Sequence, residues 1–132
     1  MAKWEYDATK CTTIVDGKRM FGFQDGDMVS GEQTNDNAEL TTDAQGWGSW
    51  SINNDHRGTI TINLSANSPA NVTLSDYFQS NKTVPVSITT PHEHVYASEA
   101  RIQKVPGFTA GKTTGNRAWQ FLCVNYTDKI TA

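Results

Sequence analysis

The stretch Thr59-Ile-Thr-Ile-Asn-Leu64 constrains this chain more than any other. Ile60, Ile62 and Leu64 alternate with Thr59, Thr61 and Asn63. A period of two puts the apolar set on one face of a strand and the polar set on the other. Other runs point the same way. Residues 10–15 and 18–23 are β-prone and flank Asp16-Gly17, a pair suited to a two-residue type I′ hairpin turn. Turn signals at 24–26, 35–37 and 45–46 then separate residues 27–34, 38–43 and 47–52. Residues 84–89 and 95–105 read as strands broken by Pro91, and Pro106-Gly107 ends the second. The last strand, 117–126, is apolar on both faces at its centre, so it is expected to be covered on both sides.

One helix interrupts the strands. Ser68 is a suitable N-cap and Pro69 a suitable first helical residue. Ala70, Leu74, Tyr77 and Phe78 follow at helical spacing as one apolar stripe. Composition agrees with this order. Thr, Ser and Asn make up 36 of 132 residues, charged residues only 19%, and 13 residues are Phe, Trp or Tyr. Thr and aromatics suit pleated, half-buried surfaces, and this many aromatics argue against disorder. The expectation is a single all-β domain over residues 1–132 with one helix, a β-sandwich or barrel.

No apolar run approaches the ~18 residues needed to span a bilayer. The first seven residues hold no hydrophobic signal-peptide core, so export by that route is not expected. Cys11 and Cys123, the only cysteines, are expected as reduced, buried thiols. The net charge of −3 gives no general attraction to nucleic acid. That total hides a partition. Residues 24–55 carry seven acids (Asp25, Asp27, Glu32, Asp36, Glu39, Asp43, Asp55) and no base, while residues 56–132 carry seven bases and four acids. The acidic stretch reads as an exposed hairpin. It is open to three uses: a solvated loop, a cation site, or a surface that repels polyanions. Asp25-Gly-Asp27 is too short for a calcium loop.

Candidate chemistry is sparse. His92 and His94, with Glu99 five residues on, resemble the first metal motif of the cupins. A later histidine and the glycine expected before the first histidine are both missing, and surface loop histidines are the simpler account. Gly-Lys-Thr at 111–113 lacks the upstream glycine of a phosphate loop. Trp47 and Trp50 are either core aromatics, the commoner role, or a stacking platform for a carbohydrate or other ligand.

Five short signatures occur in one order: Phe21-Gly-Phe-Gln-Asp-Gly-Asp27, Asp43-Ala-Gln-Gly46, Asn54-Asp-His-Arg-Gly-Thr-Ile-Thr-Ile62, Asn67-Ser-Pro-Ala-Asn71 and Gly115-Asn-Arg-Ala-Trp119. Together they resemble the short tail tube proteins of contractile-tailed bacteriophages and related prophages, over roughly residues 5–125. The resemblance implies a β-sandwich subunit with one helix. Six copies would form a ring whose inner strands join into one β-barrel. Rings would stack into the tube through which DNA leaves the capsid. Implied partners are the tail sheath protein, the baseplate or tip, and a terminator. The implied location is the virion, after assembly in the host bacterial cytoplasm. No enzyme activity, cofactor or metal is implied.

By that analogy the 27–43 hairpin and the strand near 47–52 lie close to the lumen. Ser30, Glu32, Thr34 and Asp36 are expected on one polar face, with Glu39, Thr41 and Asp43 facing the same way and Val29 and Gly31 opposite. Duplex DNA carries about one negative charge per 1.7 Å, so an acidic and polar lining would keep it moving without specific binding.

Overall fold

The computed structural model describes residues 5–131. Residues 1–4, on which the reading of the N-terminus partly rests, lie outside the described residues. The fold is all-β with one α-helix among the described residues. Ten strands follow a single 3-10 turn at Ala8–Lys10: β1 Thr12–Val15, β2 Lys18–Arg19, β3 Val29–Gln33, β4 Ala38–Thr42, β5 Gly48–Ile52, β6 Gly58–Ser65, β7 Val84–Thr89, β8 Glu93–Lys104, β9 Asn116–Cys123 and β10 Tyr126–Ile130. The helix, α1, spans Ala70–Gln79 between β6 and β7. Eight strands form one antiparallel sheet in the order β2-β1-β7-β8-β9-β6-β3, with β10 paired to β8, and β4 and β5 form a sheet of their own.

β6 behaves as its alternation requires: Gly58, Ile60, Ile62 and Leu64 are buried and the residues between them half-buried. The core collects Ile60, Ile62, Leu64, Trp119 and Phe121 with Val15, Val84, Val86 and Ile88. Fully burying each such side chain stabilises the fold by about 1.5–3 kcal/mol. The helix closes this core with Ala70, Leu74 and Tyr77, and Phe78 packs at the edge. Its first turn begins one residue later than expected. Ser68 still receives the Ala70 amide at 3.3 Å, but its hydroxyl also donates to the Phe21 carbonyl at 2.5 Å. The same side chain therefore ties the helix entry to the 21–23 segment. At the other end Asn81 takes a left-handed conformation (φ 53°) and the Lys82 amide returns to the Tyr77 carbonyl, a standard way to end a helix. Asp16 and Gly17 both have positive φ, as a type I′ turn needs.

Three sequence expectations are corrected. The 27–43 stretch is not a hairpin, because β3 pairs with β6 and β4 with β5. Residues 29–42 form one limb of a longer ribbon and 48–65 the other, with its tip at the 43–47 turn. Asp43 Oδ1 sets that turn by accepting the amides of Gln45 and Trp47. The ribbon is interrupted at a joint. Pairing ends at the Thr34 amide on the Arg57 carbonyl and resumes at the Asn53 amide on the Asn37 carbonyl. Two residues, 35–36, then face three, 54–56, and side chains replace the missing ladder. Asn35 Nδ2 donates to Asp55 Oδ2 at 3.0 Å, and Gln33 Nε2 donates to the Asn35 carbonyl and to Asn37 Oδ1.

The second correction concerns the last strand, which is two. β9 stops at Cys123 and β10 starts at Tyr126. β9 is buried on one face only, through Trp119, Phe121 and Cys123, and Leu122 on the other face is exposed. The break matches a change in β8. Val95 and Ala97 point inward, Ser98 and Glu99 are both exposed, and Ala100 and Ile102 point inward again. This bulge lets one strand serve two layers. Residues 93–97 pair with β10 and residues 100–104 with β9, while the Val124 amide bonds to the Glu99 carbonyl at the crossover.

Third, Trp47 and Trp50 are not core residues; they are 76% and 67% exposed. Both cysteines are free, but only Cys123 is buried, and Cys11 is half-buried. Burial pushes the Cys123 thiol up to about 11, so it stays protonated and unreactive near neutral pH.

Candidate assembly surface

Two surfaces are left incomplete by the described residues. The first is the outer face of β3, β6, β9 and the second half of β8. The ladder lines up Ser30, Thr61, Gln120 and Lys104 in one row, and Glu32, Thr59, Leu122 and Arg101 in the next. Asn63 and Ala118 form a third. Half of these side chains are hydroxyl or amide, with one acid at the β3 end, two bases at the β8 end, and Ala118 and exposed Leu122 on β9.

Its inner side explains why β3 holds this orientation. Val29 packs on the core, and a side chain at Gly31 would come within 2.8 Å of the Tyr126 hydroxyl. Tyr126 lies over Gly31 and Gly58, and its burial pushes the phenol up to about 12, helped by Asp128 and Glu93. Ser30 and Glu32 are therefore turned outward, opposite Val29 and Gly31.

The edges of this wall are open. Among the described residues β3 ends the sheet and pairs only with β6. Beyond Ala100, β8 has β9 on one side and no strand on the other among the described residues. Unpaired edges expose a row of amide and carbonyl groups, which a second chain can pair.

The second surface is the β4–β5 arm. Apart from half-buried Ala38, every residue of both strands is exposed. Opposed pairs Ala38–Ile52 and Leu40–Trp50 share one face, while Glu39, Thr41, Ser49 and Ser51 share the other. The arm is thus amphipathic, and its apolar face lies open. Large unpartnered apolar patches of this kind mark interaction sites.

The seven residues singled out for a lumen divide between the two surfaces. Ser30 and Glu32 lie on the polar wall, and Glu39 and Thr41 on the polar face of the arm. Thr34 and Asp36 fall in the joint and Asp43 in the tip turn. Sequence reasoning missed the outer positions of β9 and β8, chiefly Gln120 and Arg101; their signals were the alternation of Trp119, Gln120 and Phe121 and that of Ala100, Arg101 and Ile102.

The histidines do not assemble into a site. His94 points outward from β8 and hydrogen-bonds Ser87 Oγ through Nε2 at 3.0 Å. His92 precedes the strand and Glu99 lies beyond the bulge's first residue. Among the described residues no group of three or more His, Cys, Asp or Glu is placed to hold a metal ion.

No family model matches the chain, and no curated protein matches it in sequence. Solved structures do match in fold. A chain of an extracellular contractile injection system, in a structure described as the PVC sheath/tube terminator in the extended state, aligns with a TM-score of 0.66 at 15% identity, covering 98% of this chain and 99% of its own. A chain of the anti-feeding prophage cap, described as a tube-terminating cap, gives 0.63 at 13%, covering 99% and 95%. A chain of a gene transfer agent virion gives 0.64 at 9%, covering 97% and 100%. Over 97–99% of its length, this chain shares the fold of chains found in contractile injection systems and in a gene transfer agent virion.

Proposed function

We propose that this chain is a structural tail tube subunit of a contractile, phage-like particle. In this reading six copies close into a ring, rings stack, and the outer wall of β3, β6, β9 and β8 lines the lumen through which double-stranded DNA passes. The observation that carries it is this wall of Ser, Thr, Asn and Gln side chains flanked by two open strand edges. A β-barrel shared by several copies needs such edges, and a conduit for DNA is served by a surface on which uncharged polar side chains outnumber bases. The acids of the ribbon (Glu32, Asp36, Glu39 and Asp43), with Ser30, Thr34 and Thr41, extend the non-stick lining. The apolar face of the arm supplies contacts between copies. The fold likeness to chains of the sheath/tube-terminator and tube-terminating-cap structures supports the assignment. The partners are then the sheath around the tube, a baseplate or tip at one end and a terminator at the other. The particle is assembled in the host cytoplasm. No catalysis and no cofactor enter.

Exposed Trp47 and Trp50 also suit a ligand platform. Trp50, however, shares its face with Leu40 and Ile52, an apolar strip better matched to protein than to sugar hydroxyls.

Negative-stain microscopy of the purified protein tests the proposal. Rings or tubes are expected, and a strictly monomeric protein at every concentration and salt overturns it. Replacing Asp36, Glu39 and Asp43 with Lys is expected to make tubes retain DNA at low salt. If tubes form but hold no DNA, the lumen assignment fails.

A further inference from the structure

The open edges of the polar wall differ in charge. At the β3 edge, the last side chain of the second row is Glu32. At the β8 edge, the same row ends in Arg101 and the adjacent row in Lys104. All three residues are exposed and none forms an ion pair within the described residues. Arg101 is held in place, since its Nε donates to Thr83 Oγ1 at 2.7 Å, which leaves the rest of the guanidinium free. Strand direction adds a second constraint. β8, β9, β6 and β3 alternate in direction, and each neighbouring pair is antiparallel. A block of four such strands placed beside an identical block again sets β3 against an oppositely running β8. The antiparallel order therefore continues across the junction for any number of copies.

We infer that the β3 edge of one copy pairs with the 101–104 edge of β8 in the next, and that Glu32 forms an ion pair across this seam with Arg101 and Lys104. The inference rests on the tube reading and specifies its contact. The interface is heterologous, one surface against a different one, so each copy offers one acid end and one base end and the chain of contacts closes into a ring. Backbone hydrogen bonds between strand edges supply the contact. The charges choose the partner edge: two β3 edges would set Glu32 against Glu32, and two β8 edges would set bases against bases. In the assembled wall Glu32 is then neutralised by its neighbour. Passing DNA meets hydroxyl and amide groups, with Glu32 offsetting one of the two bases at each seam.

The test is a charge-reversal cycle in the full chain. Glu32→Lys and the pair Arg101→Glu with Lys104→Glu are each expected to lower ring yield at physiological salt by about tenfold or more, because like charges then face each other. The variant carrying all three changes restores the attraction with reversed sign and is expected to assemble within about threefold of the wild type. Single-sided variants that assemble like the wild type overturn the seam, and so does a combined variant no better than either part. Circular dichroism and thermal unfolding of each monomer keep folding separate from assembly. A second measurement does not depend on charge. Glu32→Cys with Arg101→Cys should give disulfide-linked ladders on a denaturing gel after mild oxidation of assembled protein. Assembled protein without ladders overturns this seam while leaving the tube reading standing, whereas a wild type that never assembles removes both.

Discussion

The lower and upper halves of the long ribbon are made of the same two limbs and meet different fates. Below the joint, β3 and β6 alternate apolar and polar residues, and Ile60, Ile62 and Leu64 are fully buried. Above it, β4 and β5 alternate just as cleanly, yet Leu40 and Ile52 are 51% and 69% exposed. The difference lies in what covers the apolar face. β6 has the helix and the rest of the core above it; among the described residues nothing covers the arm. Alternation specifies that a face must be covered, and leaves open which molecule covers it.

Truncation of the two halves sharpens the contrast most. Ile62→Ala removes a fully buried side chain and is expected to cost about 2–5 kcal/mol in urea unfolding. Trp50→Ala, on the exposed arm, should change monomer stability by less than about 0.5 kcal/mol while reducing ring or tube yield in sedimentation. If Trp50→Ala destabilised the monomer as much as Ile62→Ala, the arm would belong to the core and the contrast would be wrong.

Glycines give a smaller version of the same test. A side chain on Gly58, just below the joint, would run into the Tyr126 ring and the Glu32 carbonyl. Gly58→Ala should therefore cost about 1–3 kcal/mol of global stability through overpacking. Gly46, at the tip, has open space around it and a φ of 91°. Its replacement by Ala strains only the turn. Its roughly 1 kcal/mol should appear as faster amide exchange in the arm, with global unfolding unchanged. A loss of global stability with Gly46→Ala would mean that the two halves unfold as one unit.

The same contrast explains how much could be read from the sequence. Local signals were sufficient for β6, for the Asp16-Gly17 turn and for the Ala70–Leu74–Tyr77 stripe, because each is decided by residues close in sequence. The pairing of 27–34 and 38–43 was misread because the Asn-rich segment at 35–37 has the composition of a turn but acts as a joint. Only the distant limb at 53–57 reveals its role. The break at 124–125 and the bulge at Ser98–Glu99 are also non-local, since each exists to let β8 change partners. The wall was half visible. Ser30 and Glu32 were placed by alternation, whereas Gln120, Arg101 and Lys104 join them only through pairings that no local pattern encodes.

The smallest expected effect lies at the joint itself. Asp55 accepts from Arg57 Nε at 2.9 and 3.1 Å and from Asn35 Nδ2 at 3.0 Å, and Arg57 Nη2 stands 2.7 Å from its carboxylate. The hydrogen bonds from Arg57 hold the Asp55 carboxyl below the usual carboxylate range, against a smaller opposing effect of desolvation. A carboxyl lowered in the folded state contributes stability that is complete above its unfolded value of about 3.9 and is lost as pH falls through the lower folded value. Both partners are well exposed, so water screens the pair and the effect should be confined to the joint. On acidification below that range, backbone 15N relaxation is expected to show β4 and β5 becoming more mobile relative to β6 and β9. Asp55→Asn should show that mobility already at neutral pH and little further change with acid. If the variant kept the wild-type pH response, another group would control the joint, and the boundary between the covered and uncovered halves would not be set by Asp55.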